Sequence, residues 1–339
     1  MSIRIKVVNK YNDNIYLQTD LRYTENTPKR RVVPTGSLVN REGAKKLREQ
    51  VLQEREGVRG QELVGAIIDH FNGIHRNDLP LDFEIEKMIL QDGLNALTIS
   101  LDLEKDMVTF RPSSAGKCER ELYYRAINTV RDEVTMFPYQ RRWTRNASAV
   151  HSAVQRDLLY GEKYLSNPLF TVQRTETGRP AWEYNLRQVK KFEESGVKFQ
   201  LYGMMDGVLV YTPDGSQIGF EFKTKSTTIG AIGSYKMKDI QESHKEQCIA
   251  YSLLFGLDEF IILYESLAKD NWTKREDARP DLRAFYYKVT EKDREKMLNK
   301  FIRVAEYFYA GELPTHDMNK CIFCPYKGRC SDDIQERAM

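Results

Sequence analysis

Three cysteines crowd the C-terminus as Cys321-x2-Cys324-x5-Cys330, and a fourth, Cys118, stands 203 residues before Cys321. Two thiols separated by two residues lie across one tight turn, the spacing that chelates a single metal centre. Pro325 follows Cys324 and Gly328 precedes Cys330, so this segment reads as turn-like and its thiols can converge without a helix in the way. Free cysteines are often no more than small buried hydrophobes, but three within residues 321–330 favour a metal centre. With Cys118 as the fourth ligand, the chain must fold back so that its end clasps a remote segment. Zinc, with four thiolates or with three and the nearby His316, and an iron–sulfur cluster, with four thiolates, are both open on donor chemistry. The fifth cysteine, Cys248, stands beside Gln247 in a helical pattern and reads as a core residue. An odd count and a reducing compartment argue against disulfides.

The remaining bulk properties exclude more than they assign. At 339 residues, 41% hydrophobic and 30% charged, the chain is expected to be a soluble globular protein of one or two domains. No apolar run approaches the ~18 residues that a membrane span needs, and the charged opening Met-Ser-Ile-Arg-Ile-Lys is no secretory signal. A cytoplasmic location with no membrane partner is the expectation. The net charge of +3 says little, because binding phosphate needs basic residues on one surface. Lys29-Arg30-Arg31 and the group Arg141, Arg142 and Arg145 could serve, although each taken alone reads as a solvated face.

Periodicity divides the chain into a lobe over residues 1–105, whose role no motif reveals, and an α/β domain over residues 106–339. The lobe reads as a short hairpin within residues 1–20, a linker over 21–40, a helix from Arg41 to about Asn72 and another from about Leu81 to Leu97. In the second domain, Ser113 or Ser114 can cap a helix carrying Cys118, Arg120, Tyr123 and Tyr124. A helix over about Arg141–Tyr160 has the apolar stripe Trp143, Ala147, Val150, Val154 and Leu158, with His151 beside it. Strands follow over 197–202, 205–211 and 217–223, with Gly203 marking a kink or close approach. Thr212-Pro213-Asp214-Gly215 signals the turn of a hairpin. A helix over about 239–255 ends at Gly256, strands follow at 259–264 and 283–289, and a helix capped by Thr290 and Asp293 ends at Gly311. This order describes a mixed sheet flanked by helices.

The chemistry gathers on the hairpin. Asp206 and Glu221 are expected on adjacent strands, where paired carboxylates can hold Mg²⁺. Lys223 lies two residues after Glu221, on the same face of its strand. A cation there can orient an attacking water or steady charge on a phosphoryl group. A cross-strand ion pair explains the same residues equally well in isolation. Gln247 and Tyr251 share one face of the next helix at i and i+4. His151, judged by its own surroundings, would be structural more often than a ligand.

In order along the chain stand Ser113-Ser114-x3-Cys118-x-Arg120-x2-Tyr123-Tyr124, His151, Gly203-x2-Asp206, Glu221-x-Lys223, Gln247-x3-Tyr251 and the terminal cysteines. This set, over about residues 110–332, resembles the iron–sulfur RecB-like exonucleases of the PD-(D/E)XK nuclease superfamily, which include the CRISPR-associated RecB-like exonucleases and the nuclease domain of AddB. The resemblance implies a restriction-endonuclease-like α/β core, with a mixed central sheet flanked by helices, a C-terminal Fe–S clasp and a separate N-terminal lobe. It implies that His151, Asp206, Glu221 and the Phe222 carbonyl bind Mg²⁺ or Mn²⁺, that Lys223 positions water, and that Gln247 and Tyr251 complete the site. Cys118, Cys321, Cys324 and Cys330 would hold a structural [4Fe–4S] cluster. The activity implied is a DNA exonuclease acting on single strands or duplex ends in phage or bacterial recombination, repair or processing, where protein partners could join it. Ala147 replaces a glycine frequent in that family, and no phosphate-loop motif of a helicase occurs. Two rivals are a non-catalytic cluster-bearing DNA-binding scaffold and an endonuclease selective for junctions or flaps.

Overall fold

The computed structural model describes residues 2–11, 14–22, 41–100, 102–133 and 135–338. The basic triplet Lys29–Arg31 and most of the expected linker lie outside them. The chain divides into two compact units, Met1–Glu62 and Leu63–Met339. In the first, strands β1 (Ser2–Tyr11) and β2 (Asn14–Arg22) pair antiparallel.

Helix α1 (Arg41–His75) carries its buried stripe, Leu63, Ile67, Phe71 and Ile74, in the second unit, at the spacing of one helical face. Helix α2 (Phe83–Ala96) is capped by Asp82, whose carboxylate accepts from the Glu84 and Ile85 amides at 3.0 Å. Strand β3 (Thr109–Phe110) leads through a 3-10 turn to α3 (Glu119–Ala126). Ser113 and Ser114 fall in that turn, and the residue that caps α3 is Cys118 itself, whose Sγ accepts from the Glu121 amide at 3.3 Å. Helix α4 (Pro138–Tyr164) begins before the expected Arg141, with Pro138 suited to its first turn. Val154 and Leu158 of its stripe are buried, but Trp143 is 45% exposed, because only the C-terminal half of α4 lies against the core.

The remaining elements are β4 (Phe170–Val172), β5 (Arg187–Glu194), β6 (Val197–Met204), β7 (Gly207–Tyr211), β8 (Ser216–Lys225), α5 (Glu242–Phe255), β9 (Glu259–Ser266), β10 (Leu282–Lys288), α6 (Glu291–Ala310) and α7 (Lys327–Ala338). Five strands form a mixed sheet in the order β10-β9-β8-β7-β4, in which only β8 and β9 are parallel; β3, β6 and β5 form a second sheet. Parallel neighbours need a crossover, and α5 lies within the connection from β8 to β9. Residues Ile218–Phe222 and Phe260–Tyr264 are buried without interruption, as strands covered on both faces must be. One face packs Phe220, Phe222, Ile261 and Leu263 against α1 and α4. The other packs Phe260, Ile262 and Tyr264 against α5, α6 and the second sheet. The architecture is α/β with helices on both faces of the mixed sheet.

Local rules account for the ends. Gly215 closes the β7–β8 turn at φ +73, and Gly256 and Gly311 terminate α5 and α6 at φ +75 and +69, where a side chain would be strained. Thr290 and Asp293 form the capping box of α6. Among the described residues, no helix is long and apolar enough to cross a membrane.

Candidate active site

The site forms where two strands part company. β7 pairs with β8 only as far as Gly207↔Phe220, so β8 continues past that register with no β7 neighbour. Asp206 sits at the crossing between β6, in the second sheet, and β7, in the first. Its Oδ2 accepts from the freed Phe222 amide at 2.8 Å. In an extended strand the N–H and C=O of one residue point to the same side, so the Phe222 carbonyl also faces this open edge. Its ring turns into the core beneath α4 and meets the His151 imidazole edge-on at 4.9 Å. The His151 Nδ1 lies 3.8 Å from Asp206 Oδ2.

Glu221 and Lys223 project from β8 towards α5. Glu221 is buried, and its Oε1 accepts from Lys223 Nζ and, at 2.9 Å, from Gln247 Nε2. Its Oε2 is equally buried and has no hydrogen-bond partner. Gln247 accepts from Lys223 Nζ at 3.3 Å and also donates to the Tyr251 hydroxyl at 3.0 Å. That hydroxyl donates to the Met204 carbonyl at 2.8 Å, tying α5 to the end of β6. The sequence-derived residues Asp206, Glu221, Phe222, Lys223, Gln247, Tyr251 and His151 therefore occupy one place.

Burial controls the electrostatics. It raises the Asp206 carboxyl to about 6, against the charge of Lys223 and the Phe222 amide. It raises Glu221 to about 7, reinforced by the charge of Asp206 and opposed by Lys223. For Lys223, burial works against the charged form, but Glu221 and Asp206 outweigh it and the ammonium is stabilised. Burial, then Lys223, depress His151, which leaves a neutral imidazole able to act as a ligand. Two carboxylates, Glu221 buried and Asp206 partly so, beside a single lysine retain an excess of negative charge that a cation would relieve.

One residue of the cluster escaped sequence reading. Glu183 opens a 3-10 turn whose amide donates to the Met205 carbonyl at 2.8 Å. Donor atoms of His151, Glu183 and Asp206 lie within 4.8 Å of one another. Glu183 comes from a loop with no motif, so no spacing pointed to it. The orphaned Glu221 oxygen and this nitrogen-and-oxygen donor set fit a hard divalent ion.

The second constellation lies at the end of the chain. Cys118, Cys321, Cys324 and Cys330 line one cavity, together with His316, and none forms a disulfide. Cys330 belongs to α7, so a helix enters the segment expected to be all turn. Because Cys330 falls in the first turn of α7, the helix still presents it to the other thiols. Burial and the proximity of Cys118 and Cys330 raise the Cys321 thiol, and burial pushes Cys324 up to about 11. Arg120 reaches from α3 to the Pro314 carbonyl at 2.8 Å and Cys330 Sγ at 3.6 Å. Four soft donors brought together from remote segments suit zinc or an iron–sulfur cluster. Cys248 is fully buried in the core and does not line that cavity.

Residues 118–331 match the family described as PD-(D/E)XK nuclease superfamily. Among solved structures, the chain is similar to the protein SSO0001, at 14% identity and a TM-score of 0.38, over 74% of this chain and 97% of that one. It is likewise similar to an alkaline exonuclease (LHK-Exo) from Laribacter hongkongensis, at 9% identity and a TM-score of 0.38, over 67% of this chain and 94% of that one. No curated protein matches.

Proposed function

The chain belongs to the PD-(D/E)XK nuclease superfamily, whose members use divalent metals, and from that premise we propose that it is a DNA exonuclease acting on single strands or duplex ends. The observation that carries this reading is the buried Glu221 with the partly buried Asp206 and Lys223 around it, beside His151, and with one Glu221 oxygen left without a partner. His151, Asp206, Glu221 and the Phe222 carbonyl would hold Mg²⁺ or Mn²⁺, with Glu183 at the margin of the set. Such an ion lowers the pKa of water and neutralises charge on a phosphoryl group. Lys223 keeps its proton, orients the attacking water and opposes the negative charge that grows on the phosphate oxygens. As the water oxygen bonds to phosphorus, the bridging P–O ester bond breaks, and the proton that the water gives up to solvent is matched by one taken up by the departing alkoxide oxygen. Gln247 fixes Lys223 and Glu221 to one another, and Tyr251 fixes Gln247, so the charged groups need little reorganisation.

Cys118, Cys321, Cys324 and Cys330 would hold a [4Fe–4S] cluster, placing the chain with the RecB-like iron–sulfur exonucleases. The cluster would supply a rigid cross-link between α3 and the chain end. Its place is structural, and the enzyme's place is in DNA recombination, repair or processing.

The test is degradation of end-labelled linear and circular single-stranded DNA by anaerobically purified protein with Mg²⁺ or Mn²⁺, beside a Glu221→Ala variant. Linear DNA should be lost with the wild type alone, and circles should survive. Cutting of circles would replace the exonuclease reading with an endonuclease. Bound but undegraded DNA would favour a non-catalytic scaffold, and equal activity of the variant would place the chemistry elsewhere.

A further inference from the structure

The first turns of α4 carry exposed aromatic rings where a solvated helix would be polar. Phe137, Tyr139 and Trp143 are 56%, 48% and 45% exposed. They are nonetheless ordered against one another. Phe137 and Tyr139 stack at 6.1 Å, and Tyr139 meets Trp143 edge-to-face at 5.4 Å. Edge-to-face packing fixes a ring while leaving a face open. Arginines interleave with them: Arg141, Arg142 and Arg145 are exposed. Among the described residues none of the three has a carboxylate partner; Arg145 bonds only the Asn146 amide oxygen. The sequence from 134 to 156 contains no acidic residue at all.

Helix geometry turns this composition into a track. At about 100° per residue, Tyr139 and Trp143 lie about 120° and 80° to one side of the His151 direction, and Arg141 and Arg145 about 80° and 120° to the other. Between the two edges run the small Thr144 and Ala147. From Trp143 to His151 the rise is about 12 Å. The aromatic residues and the arginines thus flank the imidazole direction on opposite sides of the helix, and Trp143 and Arg141 border the face that leads to the imidazole beside Asp206.

We infer that the N-terminal half of α4 is a docking track for single-stranded DNA, with bases stacking on Tyr139 and Trp143 and phosphates meeting Arg141 and Arg145. The occupant is single-stranded because aromatic planes can stack only on bases freed from pairing. It is a nucleic acid because the arginines lack protein counter-charges and a polyanion supplies them. The inference rests on the nuclease reading for the direction of the track, since the strand runs towards the proposed site.

The experiment uses the full chain in EDTA, so that no hydrolysis intervenes, and follows anisotropy of fluorescein-labelled oligodeoxythymidylate and of an abasic strand of equal length. Wild type should prefer the strand with bases. The double variant Tyr139→Ala/Trp143→Ala should bind it at least about tenfold more weakly and lose that preference, with an unchanged melting temperature. Arg141→Ala/Arg145→Ala should make the slope of log K against log salt shallower by about 1.4, the release expected for two phosphates of a single strand. Trp272→Ala, which removes a tryptophan that is 97% exposed outside α4, should bind as wild type does. Affinity within twofold of wild type for the aromatic variant would overturn the proposal. So would a wild-type dimer that this variant converts to monomer by light scattering without a change in DNA affinity, which would make the face an interface between copies. Base-dependent binding without hydrolysis in the metal assay would sink the nuclease reading and leave the track standing. Hydrolysis with no role for Tyr139 or Trp143 in binding would do the reverse.

Discussion

Glu183 and His70 show how single residues can matter without any sequence signal. The carboxylate of Glu183 reaches the donors of His151 and Asp206 from a loop whose Glu183 amide donates to the Met205 carbonyl. If it helps hold the ion, Glu183→Gln should raise the Mn²⁺ concentration for half-maximal hydrolysis by about tenfold or more, with a smaller change at saturating metal. A metal titration that superposes on wild type would exclude it from the site. His70 is buried, edge-on to Phe71 and Phe170, with neither ring nitrogen hydrogen-bonded. Burial depresses its pKa to about 4. The folded chain therefore resists a proton that the unfolded chain accepts near 6.5, so its contribution to stability is intact above that value and is lost as pH falls towards 4. The loss approaches about 3 kcal/mol at the acid end. His70→Leu should be more stable than wild type by about 1 kcal/mol at pH 7 and should gain further as pH falls. Thermal melts at pH 7 and pH 5 with the same wild-type-to-variant difference would refute this.

At the scale of elements, β8 positions the site and its neighbours set its tolerance. A Cβ on Gly219 would fall 2.4 Å from ring atoms of Phe260, its register partner on β9 and a fully buried residue. Gly219→Ala should cost about 1–3 kcal/mol and depress hydrolysis by shifting the β8 segment that bears Glu221. An unchanged melting temperature would mean that β9 yields where the packing indicates it cannot. Much of this element was legible beforehand, because the Thr212–Gly215 turn and the Glu221-x-Lys223 alternation are local features. Gly203 also marked a close approach, since a Cβ there would lie 2.9 Å from Leu254 and Pro112. What the periodicity did not reveal was β5, whose run Arg187–Glu194 is charged and has no buried residue, nor the two- and three-residue strands β3 and β4, which are too short to alternate. The apolar stripe of α4 was read correctly only for its packed half. Trp143 fits the 3.6-residue period as well as Val154 does, and sequence period cannot tell where a helix leaves the core.

For the whole molecule, the decisive contacts join segments some two hundred residues apart, and only the cysteines announced them. Tyr124 donates to Asp333 at 2.6 Å, Arg120 to the Pro314 carbonyl at 2.8 Å, and the Asp132 amide to the Pro325 carbonyl at 2.8 Å. Arg120 and Tyr124 stand in the motif that carries the family resemblance, but nothing local pointed to Pro314, Asp333 or the Asp132–Pro325 pair, because aspartate is common and backbone atoms are everywhere. Four thiols with clustered spacing are rare enough to be noticed. The same remoteness would give the proposed clasp its energetic weight. Loop-closure entropy grows with the length of the loop closed, and for a cross-link spanning the interval from Cys118 to Cys321 the constraint on the unfolded chain reaches about 5 kcal/mol. Hydrogen bonds between the same segments add to the folded state but do not restrict the unfolded one. Cys324→Ala should therefore abolish the iron content and the brown absorbance of anaerobically purified protein and lower the melting temperature by roughly 5–10 °C. Chelation of iron from wild type should reproduce that shift and leave the melting temperature of the variant where it was. Zinc in place of iron, bound stoichiometrically and lost in the same variant, would keep the clasp and replace the cluster. A variant with unaltered metal content would mean that Cys324 is no ligand, and the closure of the chain would then rest on the hydrogen bonds of Arg120, Tyr124 and Asp132.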